Sequence, residues 1–218
     1  MSLDDYRGNV LSKDDLLGRL QTPEVSKKLY IVPMVDTKLQ VGQGSIDLRL
    51  GTDFVVMKRT NYSIMDPLDG RGNIQTRIAE YYDRIYVNVG KRLVLHPNQI
   101  VLGCTLEYFR LPPDLIAYVI GRSSWGRLGL IIATATLVHP GYTGIVTLEL
   151  VNVGDTPIAL YPGVRIAQIV FHKITPSKIK PEDYITKITY GLSTRPSFSK
   201  IYQDREWKIL SQIKEKLS

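Results

Sequence analysis

Cysteine is almost absent from this chain, and its scarcity removes several function classes at once. One cysteine, Cys104, among 218 residues leaves no internal disulfide framework and points to a reducing, intracellular compartment. The three histidines, His96, His139 and His172, are widely separated, and neither a Cys-x-x-Cys nor a His-x-Glu motif occurs. A zinc deaminase or zinc hydrolase needs clustered ligands of that kind, so no zinc and no protein-held metal are expected. No window approaches the roughly 18 consecutive apolar residues of a membrane span. Met1 to Arg7 carries two aspartates and no apolar core of a secretory signal, so a cytoplasmic location without membrane attachment is expected. Gly126-Arg-Leu-Gly129 lacks the spacing of a Walker loop, and no Gly-x-Gly-x-x-Gly follows a strand.

What is present describes an ordinary globular domain: 44% hydrophobic and 22% charged residues over a length that buries roughly 70% of the unfolded chain's surface. Ser12 followed by Asp15 has capping-box spacing, and Leu16, Leu17 and Leu20 then share a face, predicting a helix over 13–20. Beyond it the period changes to two. Short β-branched or aromatic runs at 45–50, 54–57, 84–89, 92–95, 100–108, 115–120, 144–151, 158–160 and 165–172 alternate with Gly, Pro and Asp turns, the signature of a mainly β barrel or jelly roll. Residues 59–83 are polar and weakly patterned, a long insertion able to cover a site or an interface. Trp207, Leu210, Ile213 and Leu217 have helical spacing, predicting a docking helix over 205–217. The division expected is a β domain over 1–172, insertion included, and a basic tail over 173–218 that closes over the site. That tail holds ten Lys or Arg against five Asp or Glu, which is +5 of the chain's +7. Its basic residues are scattered and form no known nucleic-acid motif, so nucleic acid is not expected as a partner.

Two segments carry candidate chemistry. In Gly121-Arg-Ser-Ser-Trp-Gly-Arg-Leu-Gly129 a β run ends in two hydroxyls bracketed by Arg122 and Arg127. Hydroxyls, turn amides and guanidinium forks together suit the many acceptor oxygens of a phosphate chain, although Arg and Ser also populate ordinary surface turns. In Gly144 to Asn152, alternation puts Ile145, Thr147, Glu149 and Val151 on one face and Val146, Leu148 and Leu150 on the other. Glu149 therefore shares a face with aliphatic neighbours, where partial desolvation suits a group that takes and returns a proton. A solvated outer strand face accounts for the same pattern.

These residues also carry a resemblance. Arg122-Ser-Ser-x-x-Arg-Leu-Gly129, Pro140-Gly-Tyr-x-Gly144, Thr147-Leu-Glu149 and Pro162-Gly-Val-Arg-Ile-Ala-Gln168 resemble the dCTP deaminase branch of the trimeric dUTPase superfamily. So do Gly44-Ser-Ile-Asp-Leu-Arg-Leu-Gly51 and the run from His96-Pro to Leu111-Pro-Pro-Asp114, and the match keeps its order through residue 172. The resemblance implies a homotrimer of distorted β-barrels or jelly rolls with sites at subunit interfaces. It also implies zinc-independent hydrolysis of dCTP to dUTP and ammonia for dUMP and dTTP supply, with Mg2+ accompanying the triphosphate and dTTP a candidate inhibitor. Glu149 matches the catalytic glutamate. Ser123 and Arg127 match groups that hold the water and the developing tetrahedral centre, and Arg122 and Ser124 the triphosphate-binding stretch. Thr134 and Ala135 match base-recognition positions and Tyr142 the aromatic beside deoxyribose. Thr147, Leu148 and Gln168 fall in substrate-binding motifs, as do Lys200 and Gln203 in the tail. His139 stands where the family has aspartate. Three alternatives accompany this reading: a dUTP diphosphatase, a bifunctional deaminase and diphosphatase, and a noncatalytic nucleotide-binding paralogue.

Overall fold

A computed structural model describes residues 10–58, 80–133, 137–174, 191–200 and 205–217. In chain order the elements are α1 (Lys13–Gln21), β1 (Tyr30–Val32), α2 (Thr37–Gln40), β2 (Ile46–Arg49), β3 (Asp53–Met57), β4 (Tyr82–Tyr86), β5 (Leu93–Leu95), β6 (Ile100–Arg110), β7 (Leu115–Gly121), α3 (Ser123–Gly126), β8 (Leu130–Ile132), β9 (Leu137–Val138), β10 (Thr143–Asn152), β11 (Ile158–Leu160), β12 (Arg165–Lys173) and α4 (Arg205–Leu217). The chain is mainly β, as its alternation predicts. Every pairing is antiparallel. One sheet runs β4-β3-β6-β10-β8 with β1 added on β6, a second runs β2-β12-β7-β9, and β5 pairs with β11. Among the described residues these sheets do not close into one continuous barrel.

The core lies between the two larger sheets. Leu48 from β2, Phe54 from β3, Phe109 from β6, Leu115 from β7, Leu148 from β10 and Ile169 with Phe171 from β12 are all buried. Helix α1 begins at the predicted capping box: Ser12 accepts from the Asp15 amide, and Asp15 accepts from the Ser12 amide. Leu16 is driven into the core, and Arg19 clamps Asp114 at the start of β7 through Nη1 at 3.2 Å and Nη2 at 2.5 Å.

Several boundaries differ from expectation. The expected insertion 59–83 lies outside the described residues up to 79, whereas Tyr82 and Asp83 belong to β4, pairing with Met57 and Val56. Strand β4 therefore starts and ends earlier than its apolar run, because a mostly exposed strand beside β3 has no need of alternating apolar residues. Strands β1, β8 and β9 and helix α2 have two to four residues each, too few to display a period.

Helix α2 nevertheless carries a consequence. It delivers Gln40 to a buried carboxylate, Glu107 on β6, whose side chain is fully enclosed. Gln40 Nε2 donates to Glu107 Oε1 at 3.1 Å and the Arg49 amide to Oε2 at 3.0 Å. Desolvation outweighs these donors and pushes the Glu107 carboxyl from its ordinary 4.5 up to about 7. Because the fold favours the protonated acid, its stabilising contribution is complete below about pH 4.5 and lost as pH rises through about 7. At ~1.36 kcal/mol per pH unit the loss approaches about 3 kcal/mol. In urea titrations, the stability of Glu107→Gln relative to the native protein is expected to rise by about that amount between pH 5 and pH 8. A constant difference would refute the assignment.

Candidate active site

The phosphate-like motif is one turn of helix at the end of β7. Trp125 and Gly126 amides both donate to the Arg122 carbonyl, at 3.0 and 3.1 Å, and the Arg127 amide donates to Ser123 at 3.0 Å. The half-buried Trp125 ring packs against the core, and its indole N–H donates to the Arg165 carbonyl on β12 at 2.9 Å. With that side anchored, Ser123 and Ser124 on α3 and Arg127 directly after it remain exposed.

Arg122 turns inward to an acidic centre the sequence did not single out. Asp47 on β2 is buried. Its Oδ2 accepts from Arg165 Nη1 at 2.9 Å, its Oδ1 accepts from Gln168 Nε2 at 3.0 Å, and Arg122 Nε lies 3.7 Å from Oδ1. Arg122 Nη1 also donates to the Arg165 carbonyl at 3.3 Å. Arg122 and Gln168, two residues expected to hold substrate, are therefore fixed on one carboxylate. Beside them lies a cavity of about 510 Å³ lined by Arg49, Arg122, Arg165, Ser124, Trp125 and Leu128 among others.

Glu149 sits on the other large sheet. Strand β10 buries Val146, Leu148 and Leu150 and leaves Thr147, Glu149 and Val151 half-buried, as alternation predicts. Ile145 departs from its expected face and is buried, because the register with β6 shifts between Ile145 and Thr147. Leu148 is in the core, so only its backbone borders the site. The phosphate motif and Glu149 are tied by β8: four residues beyond α3 it pairs with Leu150 to Asn152, and the Ala133 amide then donates to the Glu149 carbonyl at 2.9 Å. Thr134 and Ala135 follow, outside the described residues.

Residues 191–200 cross the start of β10. The Leu192 amide donates to Thr143 at 2.6 Å, the Ile145 amide to Ser193 at 2.9 Å, and the Ser197 amide to the Thr147 hydroxyl at 3.2 Å. Gly144, at φ +146°, permits this approach, since a Cβ there would meet the Ser193 amide nitrogen at 3.1 Å and carbonyl oxygen at 3.2 Å. Phe198 packs on Tyr82, with ring centres 5.2 Å apart, and under the Arg84 guanidinium at 4.7 Å. Lys200 lies in this segment and lines a cavity of about 730 Å³ with Arg84, Ser193, Arg195 and Ser197. Gln203 lies outside the described residues.

Two further residues have restricted chemistry. Tyr142 is buried with its hydroxyl donating to the Ile145 carbonyl, and burial raises its pKa, so it stays a neutral donor. Burial pushes the Cys104 thiol up to about 12, which removes it as a nucleophile. His139 is exposed. Among the described residues no three His, Cys, Asp or Glu side chains cluster as a metal site, and no helix is long and apolar enough to cross a membrane.

A dCTP deaminase-like family model matches residues 10–174. A dCTP deaminase of Natronomonas pharaonis is 43% identical over 199 residues, covering 91% of this chain and 97% of the relative. A protein of Halobacterium salinarum named dCTP deaminase, dUMP-forming, is 39% identical over 199 residues, with the same two coverages. In fold, the chain is similar to the crystal structure of 2'-deoxycytidine 5'-triphosphate deaminase from Agrobacterium tumefaciens, with a TM-score of 0.56 and 24% identity. That likeness covers 77% of this chain and about half, 49%, of the other. With the motifs around Arg122, Glu149 and Gln168 in place on this fold, the chain belongs to the dCTP deaminase-like family.

Proposed function

We propose that the protein is a dCTP deaminase, hydrolysing dCTP to dUTP and ammonia. The observation that carries this reading is the half-buried Glu149, tied through β8 to the hydroxyl and guanidinium groups of α3, in a chain about 40% identical to proteins bearing that name. Glu149 takes a proton from water as the oxygen attacks C4 of the cytosine ring. It gives that proton to the ring nitrogen, then takes the second from the C4 hydroxyl of the tetrahedral intermediate and passes it to the amine, so that the C4 carbonyl forms, the C4–N bond breaks and ammonia leaves. Ser123, opening α3, and Arg127, directly after it, are both exposed and hold the water and stabilise the charge developing at the tetrahedral carbon.

Arg122, Ser124, Gln168 and Lys200 bind the triphosphate, Tyr142, Thr147 and His139 recognise the sugar, and Thr134 and Ala135 are assigned to the base by their match to the family's motif. The anion-facing groups are cationic and hydroxylic, so Mg2+ is held by the triphosphate oxygens and enters with the substrate rather than in a protein cage. Tyr118 and Ile120 on β7 and Leu137 on β9 are exposed, and Tyr118 pairs directly with Leu137. This apolar strip supports a homotrimer in which a second copy covers it and completes each site. dTTP, sharing the deoxyribose triphosphate, would compete for the same groups.

A second reading is bifunctional, carrying dCTP through to dUMP, because relatives near 40% identity are named dUMP-forming. Ammonia and pyrophosphate measured together on dCTP and dUTP with Mg2+ separate the two. Ammonia alone identifies a deaminase, and equal yields of both from dCTP identify the bifunctional enzyme. Pyrophosphate from dUTP without ammonia from dCTP would overturn the deaminase reading, and silence on both would leave a nucleotide-binding protein.

A further inference from the structure

One residue lining the cationic cavity beside α3, Arg49, carries a buried hydrogen-bond donor without a partner. Strand β2 is extended, so Asp47 and Arg49 point to the same face while Ile46 and Leu48 point into the core. Asp47 is occupied by Arg165, Gln168 and Arg122. Arg49 is not matched in that way: its Nη1 is buried and has no hydrogen-bond partner. The nearby acid does not answer it. Glu107 gives one oxygen to Gln40 and the other to the backbone amide of Arg49, and burial pushes it up to about 7, so it is only partly charged at neutral pH. A buried guanidinium nitrogen without an acceptor costs free energy, and native structures rarely leave one unless a water or ligand supplies the acceptor.

Arg49 lines the same 510 Å³ cavity as Arg122, Arg165 and Ser124. The lining holds these three arginines and no acidic residue, and only Arg122 and Arg165 meet the Asp47 carboxylate, an arrangement that favours an anion with several acceptor oxygens. We infer that Arg49 is a specificity-determining residue that receives the terminal phosphate of the substrate's triphosphate, making this cavity the point at which triphosphates are told from shorter phosphates. The inference rests on the deaminase reading for the identity of the nucleotide, but the anion chemistry stands apart from it.

The test uses the full-length protein and inorganic anions as probes. Calorimetry with tripolyphosphate and with pyrophosphate is expected to show tighter binding of tripolyphosphate by the native protein. Arg49→Met is expected to lose at least about tenfold of that preference and Arg49→Lys to restore part of it, because lysine keeps the charge but not the fork. Where Arg49→Met fails to fold, the double variant Arg49→Met, Glu107→Gln removes the acid left behind and carries the same measurement. In steady-state assays the ratio of kcat/KM for dCTP over dCDP is expected to fall by the same factor. Tripolyphosphate binding that Arg49→Met leaves as in the native protein would make the orphaned nitrogen a water site and overturn the inference, as would no tripolyphosphate binding by the native protein. Arg49-dependent tripolyphosphate binding without any ammonia from dCTP would instead retain the anion site and overturn the deaminase reading.

Discussion

Glu149→Gln is expected to cut ammonia release from dCTP by about three orders of magnitude while leaving dCTP binding within about threefold. The amide keeps the size and the acceptor oxygen of the carboxylate but cannot take a proton from water, and positioned general acid–base groups contribute roughly 100- to 10,000-fold. The loss lies well above the bottom of that range because one group must serve both the attacking water and the departing amine. The strand should tolerate the change. Glu149 is half-buried rather than enclosed, and the substitution leaves its backbone contacts in the sheet unaltered, namely the Ala133 amide on its carbonyl and the register opposite Leu102 on β6. A melting temperature near the native value, measured beside the ammonia assay and dCTP calorimetry, excludes misfolding as the cause. Turnover within tenfold of native would remove Glu149 from the chemistry and leave the deaminase reading without its base.

How much of this site was visible in the sequence follows from how its parts are held. The alternation that placed Thr147, Glu149 and Val151 together needed only a period of two along β10. It failed at Ile145, where a register shift against β6 puts one residue on the wrong face, and such an irregularity has no local signature. The hydroxyl and arginine stretch of α3 is contiguous, so it could be read directly. Asp47 could not. It sits in a strand of four residues, and the partners that give it meaning, Arg122, Arg165 and Gln168, are 75 or more positions away. Gln40 reaches Glu107 by the same kind of long-range meeting, across 67 positions. Antiparallel pairing of β2 with β12 creates the Asp47 centre, and no periodicity in either strand announces it. The helix over 205–217 was legible from its spacing, but the docking expected of it is not seen among the described residues: Leu210 and Ile213, two of the four spaced residues, are exposed, as is Ile209.

Neutralising Asp47 should disable the site from a distance, in binding rather than in chemistry. In Asp47→Asn the side chain keeps its shape and one acceptor oxygen but loses the charge that holds Arg122 and Arg165 in place. Arg122 and Arg165 then lose the carboxylate they share beside the 510 Å³ cavity, and like charges without a carboxylate between them repel. Arg122 retains only its 3.3 Å bond to the Arg165 carbonyl, and Gln168 can keep one bond by rotation of either amide. The KM for dCTP is expected to rise about 30-fold, equivalent to about 2 kcal/mol of lost orientation and charge pairing. The kcat should stay within about fivefold, because Glu149, Ser123 and Arg127 do not touch Asp47. A structural role alone would lower apparent kcat through the folded fraction and leave KM unchanged, so the split between KM and kcat is the deciding readout. The double variant with Arg122→Met sharpens it: if Asp47 acts through Arg122, the second substitution adds little to the first, whereas independent roles would make the two losses add. Equal falls in kcat and in kcat/KM for Asp47→Asn, or full additivity with Arg122→Met, would reject Asp47 as the residue that positions Arg122 for the triphosphate.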